Sequence, residues 1–567
     1  MRFCCTVLSL LLVATSLPAA EDPLDALPAK SGVVLRLSPP SEIAGKAKSF
    51  LNKAAPRYAP IADSLGIGLG SLIGNPTLRD VDANRDWYVA VIPRPEQRPA
   101  MLFAVPTNNA AGLKQAVGPG YAFVEHDDWV LYSLDAATVE ALSLEGAAAE
   151  DSIRAQIVEP LLGVFTEGEA GIYLNIPVLR EAYQPQIEQA REQLIRASEP
   201  ASDDVAPVEG AEAKAENANR KLLETLLATI DDMTGVAKSV TIGEAALEVE
   251  AVVAVESDSK TAGFLAKQKP VDFPLLAKLP QGRLAYYALA GDFSDFVTAS
   301  ISASAAMSPE NDELRQQFEE LGKLRFEEAA GSIALGPIDG GVYRGVSLIR
   351  VDKPDQYLEL ARRMTKSLNA ARRPEIQQEI SIEPQAETIS GVKVDVLKIQ
   401  ARPSPEQDPN GSIQKFLDVL FGKEGVTQRL AVVEGLFVQA VGDEASVMES
   451  AVAAARGQTP ADEPAQKAAD ATRARIGESA NLLALVDLPR LLGGAVQIAI
   501  DSGELPLPVD QTAIDSLNLA PSYTGLTVVA GQNEVRVRGV MPAEQVQGIV
   551  RLFDVLQKAA PKRRPAN

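Results

Sequence analysis

The chain has 567 residues, 46% of them hydrophobic, and a formal net charge of −22 at pH 7. Its length predicts roughly three or four domain-sized units, and its hydrophobic content excludes wholesale disorder. The strong acidity argues against nucleic acid and anionic lipid as partners, because like charges repel, and it is compatible with a cation or a basic partner.

The N-terminal residues 1–20 have the order of a secretory signal peptide. Arg2 is followed by an apolar run, Thr6–Leu17, and then by the short end Pro18–Ala20. This order is typical of a segment that is cleaved on export. The alternative is a membrane anchor, which requires about 30 Å of apolar helix, more than this run comfortably supplies. We therefore expect a periplasmic or secreted protein that is cut after Ala19 or Ala20.

The two cysteines of the chain, Cys4 and Cys5, both lie inside this predicted signal peptide. A mature chain without them cannot form a disulfide, so its stability must come from ordinary packing. Beyond residue 20 there is no run of about 18 apolar residues, and we expect no transmembrane segment in the mature chain.

One segment of the first half of the chain recurs in the second half. Gly168–Arg180 reads GEAGIYLNIPVLR, and Gly477–Arg490 reads GESANLLALVDLPR. In both, a short apolar strand is followed by a polar residue that can cap a helix. Leu27–Ile43 and Leu279–Val297 show the same pattern after a shared Leu-Pro start. The candidate caps in this second pair are Ser41 and either Asp292 or Ser294.

A hairpin followed by a helix is the second recurring pattern. Ser522–Phe553 shows it best, with a turn at Gly531–Asn533 and Pro542 at the start of the helix. Three other segments share this pattern: Trp87–Val117, Ala237–Lys267 and Ser332–Met364.

A tight hairpin before a helix is the third pattern. It is found in Tyr121–Leu142 and again in Leu430–Val452, where Asp135 and Asp443 are the candidate caps.

These patterns follow one another in the same order twice. The sequence therefore predicts an α+β fold of two tandem duplicated halves, made mostly of antiparallel strands and hairpins with helices packed on one face. The predicted organisation is a signal peptide at 1–20, a first half at 21–268, a second half at 279–557 and a basic tail at 558–567.

The predicted halves differ by insertions. Residues 184–234 predict a helical insert, and Gly235 is the residue expected to end its last helix. Within the insert, the acidic, Pro- and Ala-rich residues 198–213 predict a flexible linker. Residues 401–412 and 457–470 of the second half predict exposed loops.

His126 is the single histidine of the chain and lies in VEHDDWV, between two predicted strands. A Ser-His-Asp triad needs such a group, but the matching segment VEGLFV has Gly435 in its place. We interpret His126 as a turn residue. One histidine and a mature chain without cysteine also argue against a structural zinc site.

Asp80–Asp86, DVDANRD, places side-chain oxygens at alternate positions, as the start of a calcium loop does. The pattern then departs from that loop, because Arg85 replaces the sixth-position Gly and Val91 replaces the twelfth-position Glu. Trp87–Ile92 already predicts a strand. We interpret the segment as an acidic loop, with weak calcium binding as the alternative.

Two further motifs carry no site. Gly66–Gly74, GIGLGSLIG, lacks the Lys-Ser/Thr of a phosphate loop and predicts a tight apolar packing loop. Ser257–Lys260 and Ser412–Lys415 fit Ser-x-x-Lys without the other motifs of penicillin-recognising enzymes. The sequence assigns no catalytic, cofactor-binding or metal-binding residue and no cofactor.

The exported, cysteine-poor, Ala- and Pro-rich chain repeats a unit of Leu-Pro, strand, acidic cap and helix, as in Leu279–Val297. In this it resembles large uncharacterised secreted proteins of environmental Gram-negative bacteria, particularly planctomycete-like ones. The resemblance implies no activity and no site residue.

We expect an exported, non-catalytic binding or scaffold protein of the cell envelope, with an unknown partner. The alternative is a secreted hydrolase that uses carboxylates or a bound cation. A broad open sheet face would favour the first hypothesis, and polar side chains that converge on one pocket would favour the second.

The signal-peptide hypothesis predicts a mature N-terminus at Ala20 or Glu21. N-terminal sequencing of the native protein measures this directly, and a chain that still begins with Met1 would contradict it.

Overall fold

The computed structural model describes residues 23–95, 97–142, 151–198, 223–224, 227–292, 312–370, 376–404, 408–502 and 519–559. The predicted signal peptide, the linker from residue 199 onward, the candidate cap Ser294 and the tail from residue 560 lie outside these residues. Over these described residues the protein has 16 helices and 18 strands, and the strands pair antiparallel. The predicted α+β class is confirmed.

The strands have the following bounds, in chain order: β1 Val33–Leu37, β2 Trp87–Ile92, β3 Ala100–Pro106, β4 Ala122–His126, β5 Trp129–Ser133, β6 Ala170–Asn175, β7 Met233–Ile242, β8 Ala246–Val255, β9 Ala285–Ala290, β10 Phe326–Leu335, β11 Tyr343–Val351, β12 Ile376–Ile389, β13 Val392–Pro403, β14 Val426–Val433, β15 Leu436–Val441, β16 Leu482–Val486, β17 Thr524–Ala530 and β18 Glu534–Pro542.

The helices are α1 Pro40–Ala54, α2 Leu65–Leu72, α3 Ala110–Val117, α4 Ala136–Glu140, α5 Ile153–Gln156, α6 Leu161–Thr166, α7 Ile176–Ala182, α8 Gln184–Ser198, α9 Lys260–Leu265, α10 Asp312–Leu321, α11 Pro354–Ala370, α12 Ser412–Phe421, α13 Ala445–Ala455, α14 Glu463–Ile476, α15 Leu488–Asp501 and α16 Ala543–Ala559.

The chain divides into two compact units. Among the described residues, the first unit comprises those within 23–45, 63–183 and 235–239, and the second comprises those within 46–62, 184–234 and 240–559. The strands of the first unit pair in the order β6-β1-β2-β3-β5-β4.

The strands of the second unit pair in the order β12-β13-β14-β15-β11-β10-β9-β16-β17-β18-β8. The compact units therefore do not follow the two predicted halves. The physical reason is that β8 pairs with β18 along its whole length, from Ala246 opposite Pro542 to Ala254 opposite Glu534. This pairing joins residues from 240 onward to the second unit.

The pairing pattern of the first unit recurs within the second. The pairs β1–β2, β1–β6, β2–β3, β3–β5 and β4–β5 correspond, in the same chain order, to β9–β10, β9–β16, β10–β11, β11–β15 and β14–β15. The duplication itself stays a prediction, because a common pairing pattern is also available to unrelated antiparallel sheets.

The recurring segments end in matching helix caps. The side chain of Asn175 accepts a hydrogen bond from the backbone N–H of Val178 at the start of α7. The side chain of Asp487 accepts one from the backbone N–H of Arg490 at the start of α15, at 3.2 Å. Each cap thereby satisfies a backbone N–H that has no partner inside its helix.

The backbone of each cap is also held in the same way. The N–H of Asn175 donates to the carbonyl of Gly32 at 2.9 Å, and the N–H of Asp487 donates to the carbonyl of Leu284 at 2.8 Å. Gly32 and Leu284 directly precede β1 and β9. The strand register therefore continues up to the cap in both segments.

Helices pack on both faces of the second unit's sheet, whereas the sequence predicted one face. On one face, Met448 and Ala451 of α13 share a buried cluster with Val438 of β15. On the other, Tyr357 of α11 meets Phe437, with ring centroids 4.6 Å apart. Phe437 and Val438 are neighbours in β15, so their side chains point to opposite faces.

Residues 66–74 do not form the predicted loop, because α2 covers Leu65–Leu72. Alternating Gly and Leu obscured the helix in the sequence. Gly70 lies in the last turn of α2 and faces the chain that returns after the helix, and a Cβ there would be 2.4 Å from the carbonyl oxygen of Asn75. The glycine permits this close approach.

Two predicted caps are wrong. Ser41 lies inside α1, and its hydroxyl donates to the carbonyl of Ala83 at 3.0 Å. The N-cap of α13 is Glu444 rather than Asp443. The third, Asp135, is confirmed, because it accepts the backbone N–H of Thr138 at 2.8 Å.

The predicted insert is helical at α8 and again at residues 227–231, but Gly235 does not close it. Gly235 lies in β7. A Cβ at this position would be 2.8 Å from a side-chain carbon of Leu161, so the glycine meets a packing requirement in a strand rather than a helix cap.

Both predicted loops of the second half are shorter than expected. β13 continues to Pro403, and α14 begins at Glu463 after a cap in which Asp462 accepts the N–H of Ala465 at 3.2 Å. The long β12–β13 hairpin was not predicted at all. Its alternating segments, EISIEPQAETI and VKVDVLKIQ, carry the period-two pattern of strands and could have revealed it.

The matching caps predict how the protein responds to changes at Asp487. The Asp487→Ala variant should lose about 1 kcal/mol of unfolding free energy, because it removes the cap. The Asp487→Asn variant should keep the cap, as Asn175 does. Burial raises the pKa of Asp487 above its usual value, so the wild type should lose stability as pH rises through that pKa.

Chemical denaturation of the three proteins between pH 4 and pH 7 measures this. We expect Asp487→Asn to gain stability relative to the wild type as the pH rises. A constant difference between these two proteins across that range would contradict the prediction.

Candidate functional site

His126 is the last residue of β4 rather than a turn residue. It pairs with Trp129 across the two-residue turn Asp127–Asp128. In the second unit the corresponding turn is Glu434–Gly435, so Gly435 matches a turn position and not His126. The side chain of His126 is half-buried at the end of its strand.

The carboxylates of Asp80–Asp86 do not converge. Asp86 forms an ion pair with Arg36 at 2.6 Å, and Asp82 accepts the N–H of Asn84 at 3.0 Å. Asp80 accepts a hydrogen bond from Asn109 at 3.3 Å. Over the part of the chain that the structure describes, no group of three or more His, Cys, Asp or Glu side chains is placed to hold a metal ion.

The two Ser-x-x-Lys segments contribute to helix starts. Ser259 accepts the backbone N–H of Ala262 at 3.0 Å and caps α9. Ser412 is the first residue of α12 and contacts the side chain of Asp408 at 3.4 Å. Both serines thus have structural roles in the fold.

Glu328 is a buried carboxylate of the second unit, with 4% of its surface exposed. It accepts the backbone N–H of Leu275 at 2.7 Å and forms an ion pair with Arg350 at 3.2 Å. Burial raises its pKa above the usual value, and the hydrogen bond from Leu275 opposes that shift. The carboxylate therefore joins the segment around Leu275 to β10.

Asp395 is a second buried carboxylate, with 1% exposed. Arg362 donates to it through two nitrogens at 2.6 and 2.9 Å, and the N–H of Gln385 donates at 2.8 Å. The bond to Asp395 raises the pKa of Arg362. The pair joins α11 to the β12–β13 hairpin, and its bidentate geometry suits a structural bridge.

Two small clefts lie in the second unit. The first has a volume of about 30 Å³ and is lined by Tyr286, Gln466, Asp470 and Arg473, among others. The second has a volume of about 80 Å³ and lies between α12 and β13. Sites for small-molecule ligands usually measure about 300–1,000 Å³. Neither cleft approaches that size.

A face of the second unit's sheet is a larger candidate. Strands β8, β18, β17, β16, β9, β10 and β11 place register partners side by side in two rows across this face. We call these two rows the apolar strip. The first row is Val249, Gly539, Leu526, Ala484, Tyr287, Gly331 and Ser347, and the second is Ala251, Val537, Val528, Leu482, Leu289, Ala329 and Ile349. None of these residues is charged.

The centre of the apolar strip is open to solvent. Tyr287 is 41% exposed, Leu526 is 40% exposed and Leu289 is 36% exposed. They lie on β9 and β17, the two strands that flank β16. A single exposed apolar residue is ordinary on a protein surface, whereas a contiguous uncharged group makes this face a candidate for an interaction site.

The two largest side chains of the first row lean away from each other. The ring of Tyr287 lies over Gly331, where a Cβ would be 2.3 Å from its Cζ, and its hydroxyl is 2.9 Å from the hydroxyl of Ser347. Leu526 leans toward Gly539, where a Cβ would be 3.9 Å from its Cδ1. Ala484 of β16 lies between them, with Leu482 and Val486 of the same strand on the same face.

Charged residues of the same strands lie on the opposite face. On β18, Arg536 and Arg538 alternate with Val537 of the apolar strip. Both arginines form ion pairs with Glu250 of β8. Alternation along a strand thus separates the charges from the strip.

Helices surround the open part of this face. α9 packs with Ala530 and Val535, at the ends of β17 and β18 next to the strip. α15 approaches Leu335, where a Cβ at Gly494 would be 2.6 Å from a side-chain carbon. α11 covers Phe437 on β15. Tyr287, Leu289 and Leu526 are the exposed large apolar residues of the strip that these helices leave uncovered.

Sequence reasoning did not identify the apolar strip. The segments RLAYYALA and NLLALV were assigned to strands, but their alternate positions are apolar in both phases. The available signal was that neither of the two alternating sets of side chains along β9 and β16 carries a charge. A strand with one face exposed to solvent usually has polar residues on that face.

No protein-family model matches the chain, and no curated protein and no solved structure matches it either. Among the helices within the described ranges, none is both long enough and apolar enough to cross a membrane.

Asp135 gives a pH prediction in the first unit. The hydrogen bond from Arg94, followed by that from Thr138, lowers the pKa of Asp135 to about 2. A lowered pKa means that its stabilising contribution is present above the usual value of about 3.9 and is lost as pH falls toward 2. Replacing Arg94 with Gln should raise the pKa of Asp135 toward that usual value.

NMR titration of the Asp135 carboxyl group in the wild type and in Arg94→Gln measures the shift. Arg98→Gln is a matched control, because Arg98 is exposed on the same connection between β2 and β3. An unchanged pKa of Asp135 in Arg94→Gln would show that Arg94 is not the cause.

Proposed function

We propose that the protein is an exported, non-catalytic binding protein of the cell envelope, and that the apolar strip is its ligand site. The observation that carries this proposal is the half-exposed, uncharged row across β17, β16 and β9, with Leu526 and Tyr287 each about two-fifths exposed. A surface of this kind gains free energy when a ligand covers it, at about 25 cal/mol per Å² of apolar area.

The placement of three buried carboxylates of the second unit supports binding over catalysis. Glu328, Asp395 and Asp487 are each engaged by a backbone N–H and by an arginine. General acid–base catalysis needs a group positioned to exchange a proton with a substrate. These three carboxylates instead connect elements of the fold.

The alternative function is a secreted hydrolase that uses carboxylates or a bound cation. A hydrolase panel run on the purified mature protein, with and without a chelator, separates the two functions. We expect no turnover above the buffer rate. Turnover that disappears on chelation, or in a His126→Ala variant, would favour the hydrolase.

The binding surface itself is tested with Nile red, an uncharged dye whose fluorescence rises on apolar surfaces. The variant is Leu526→Asp, and the matched control is Met101→Asp, because Met101 of β3 is 41% exposed and Leu526 is 40% exposed. We expect Leu526→Asp to weaken dye binding at least fivefold and Met101→Asp to leave it within twofold. Equal effects of the two changes would count against the apolar strip as the ligand site.

A further inference from the structure

We infer that the outer edge of β12 binds an extended, basic segment of a partner protein, which pairs with it as an added strand. This site is separate from the apolar strip, because β13, β14 and β15 lie between β12 and the nearest strand of the strip, β11. Three properties of β12 support the inference: its unpaired backbone edge, its exposed carboxylates and its half-buried isoleucines.

β12 is the terminal strand in the pairing order of the second unit. Over the described residues of that unit, β12 pairs with β13 and with no other strand. In an antiparallel pair, alternate residues direct their N–H and C=O groups away from the neighbouring strand. The outer edge of β12 therefore presents a row of these groups without a strand partner. An extended polypeptide is the ligand whose own N–H and C=O groups match this row in spacing and direction.

The regular part of β12 sets the length of the added strand. The register with β13 is continuous from Ile376, opposite Pro403, to Glu383. An irregularity then follows between Glu383 and Glu387, and Pro384 within it has no backbone N–H to offer. A partner segment of about eight residues therefore fits the regular part of the edge.

The side chains of β12 alternate between an acidic set and an apolar set. Glu379, Ser381 and Glu383 are exposed, whereas Ile380 and Ile382 are half-buried. Because neighbouring strands of a sheet share its two faces, a strand added to β12 presents its own alternate side chains beside these two sets.

The apolar set lies on the face that α11 covers. Ile380 is opposite Ile399 of β13 and Ile382 is opposite Leu397, and α11 contacts β12. Asp395, two residues before Leu397 and hence on the same face, binds Arg362 of α11. Apolar residues of the added strand would extend this row of side chains along the sheet.

The acidic set determines the charge of the partner. Within the described ranges, neither Glu379 nor Glu383 forms an ion pair or a side-chain hydrogen bond. A Lys or Arg of the added strand opposite each carboxylate forms a cross-strand pair of opposite charge, which stabilises the pairing. The favoured partner segment therefore alternates basic and apolar residues.

A second copy of this chain is a poorer occupant of the edge. When two copies pair antiparallel about Ser381, Glu379 of one copy lies opposite Glu383 of the other. Like charges directly opposite each other destabilise a strand pair. The net charge of −22 on each chain adds repulsion at longer range. A basic partner is subject to neither effect.

The test uses an octapeptide in which lysine and valine alternate, labelled with fluorescein and titrated with the full mature protein by fluorescence anisotropy. We expect saturable binding that weakens as salt is added, because the charge pairs are exposed. A peptide of the same composition with lysines and valines in blocks of two should bind about fivefold more weakly or worse, because it cannot match both side-chain sets.

N-methylated peptides test the backbone pairing separately from the charge. In an added strand the N–H groups of one alternating set point toward β12 and those of the other set point away. One peptide is methylated on the valine nitrogens and a second on the lysine nitrogens. We expect one of them to bind about tenfold more weakly than the unmethylated peptide and the other to bind within about twofold of it. Equal binding of the two would overturn the inference, because contact through charge alone is indifferent to the edge.

Two matched double variants locate the site. Glu379→Gln with Glu383→Gln removes both carboxylates of β12 and should weaken binding of the octapeptide about fivefold. Glu424→Gln with Glu478→Gln makes the same change in net charge at two exposed glutamates outside β12, and should leave binding within about twofold. Thermal unfolding checks that both proteins remain folded.

The remaining outcomes are decided by the same proteins. If the alternating octapeptide does not bind, or if the two double variants bind it equally, the inference is overturned. Sedimentation of the wild type at the titration concentration should show a monomer. A dimer that the octapeptide dissociates would make a second copy the occupant of the edge and would overturn the basic partner. The dependence of Nile red binding on Leu526 tests the apolar strip independently of all these results.

Discussion

The second unit depends on the register of β9 with its two neighbours, β10 and β16. Alternation along β9 sends Tyr286 and Ala288 into the buried core and Tyr287 and Leu289 to the other face. A slip of one residue would exchange these two sets, because side chains alternate with a period of two. The constraint that builds the core therefore also builds the apolar strip.

Hydrogen bonds and ion pairs of a few polar side chains help to fix the strand register around β9. Asp487 ends β16 and caps α15, while its own N–H continues the pairing to Leu284 at 2.8 Å. Glu328 of β10 holds the N–H of Leu275, and Arg536 and Arg538 pair with Glu250 on the face opposite the strip. A buried ion pair contributes little net stability by itself, but losing one partner is costly, so such pairs hold elements in position. The charges are used within the fold and leave the strip uncharged.

Local patterns predicted many of the individual elements. Residue types and their spacing predicted three elements that the structure contains: the turn at Gly531–Asn533, the strand Trp87–Ile92 and the cap Asp135. Failures occurred where contacts distant in sequence decide the outcome. α2 forms through residues that were expected to be a glycine loop, and Gly235 lies in a strand, where Leu161 occupies the space that a Cβ would need.

The sequence by itself determined the α+β class, the antiparallel hairpins and the two matching strand–cap–helix segments, because these depend on alternation and capping between near neighbours. The tertiary structure decided that β8 joins β18, that helices cover both faces of the sheet, and which face stays open at Tyr287 and Leu526. β9 and β16 are apolar at both alternate positions, so their sequences are compatible with either face being buried. Only the packing of helices and the long-range pairing of strands distinguish the two faces.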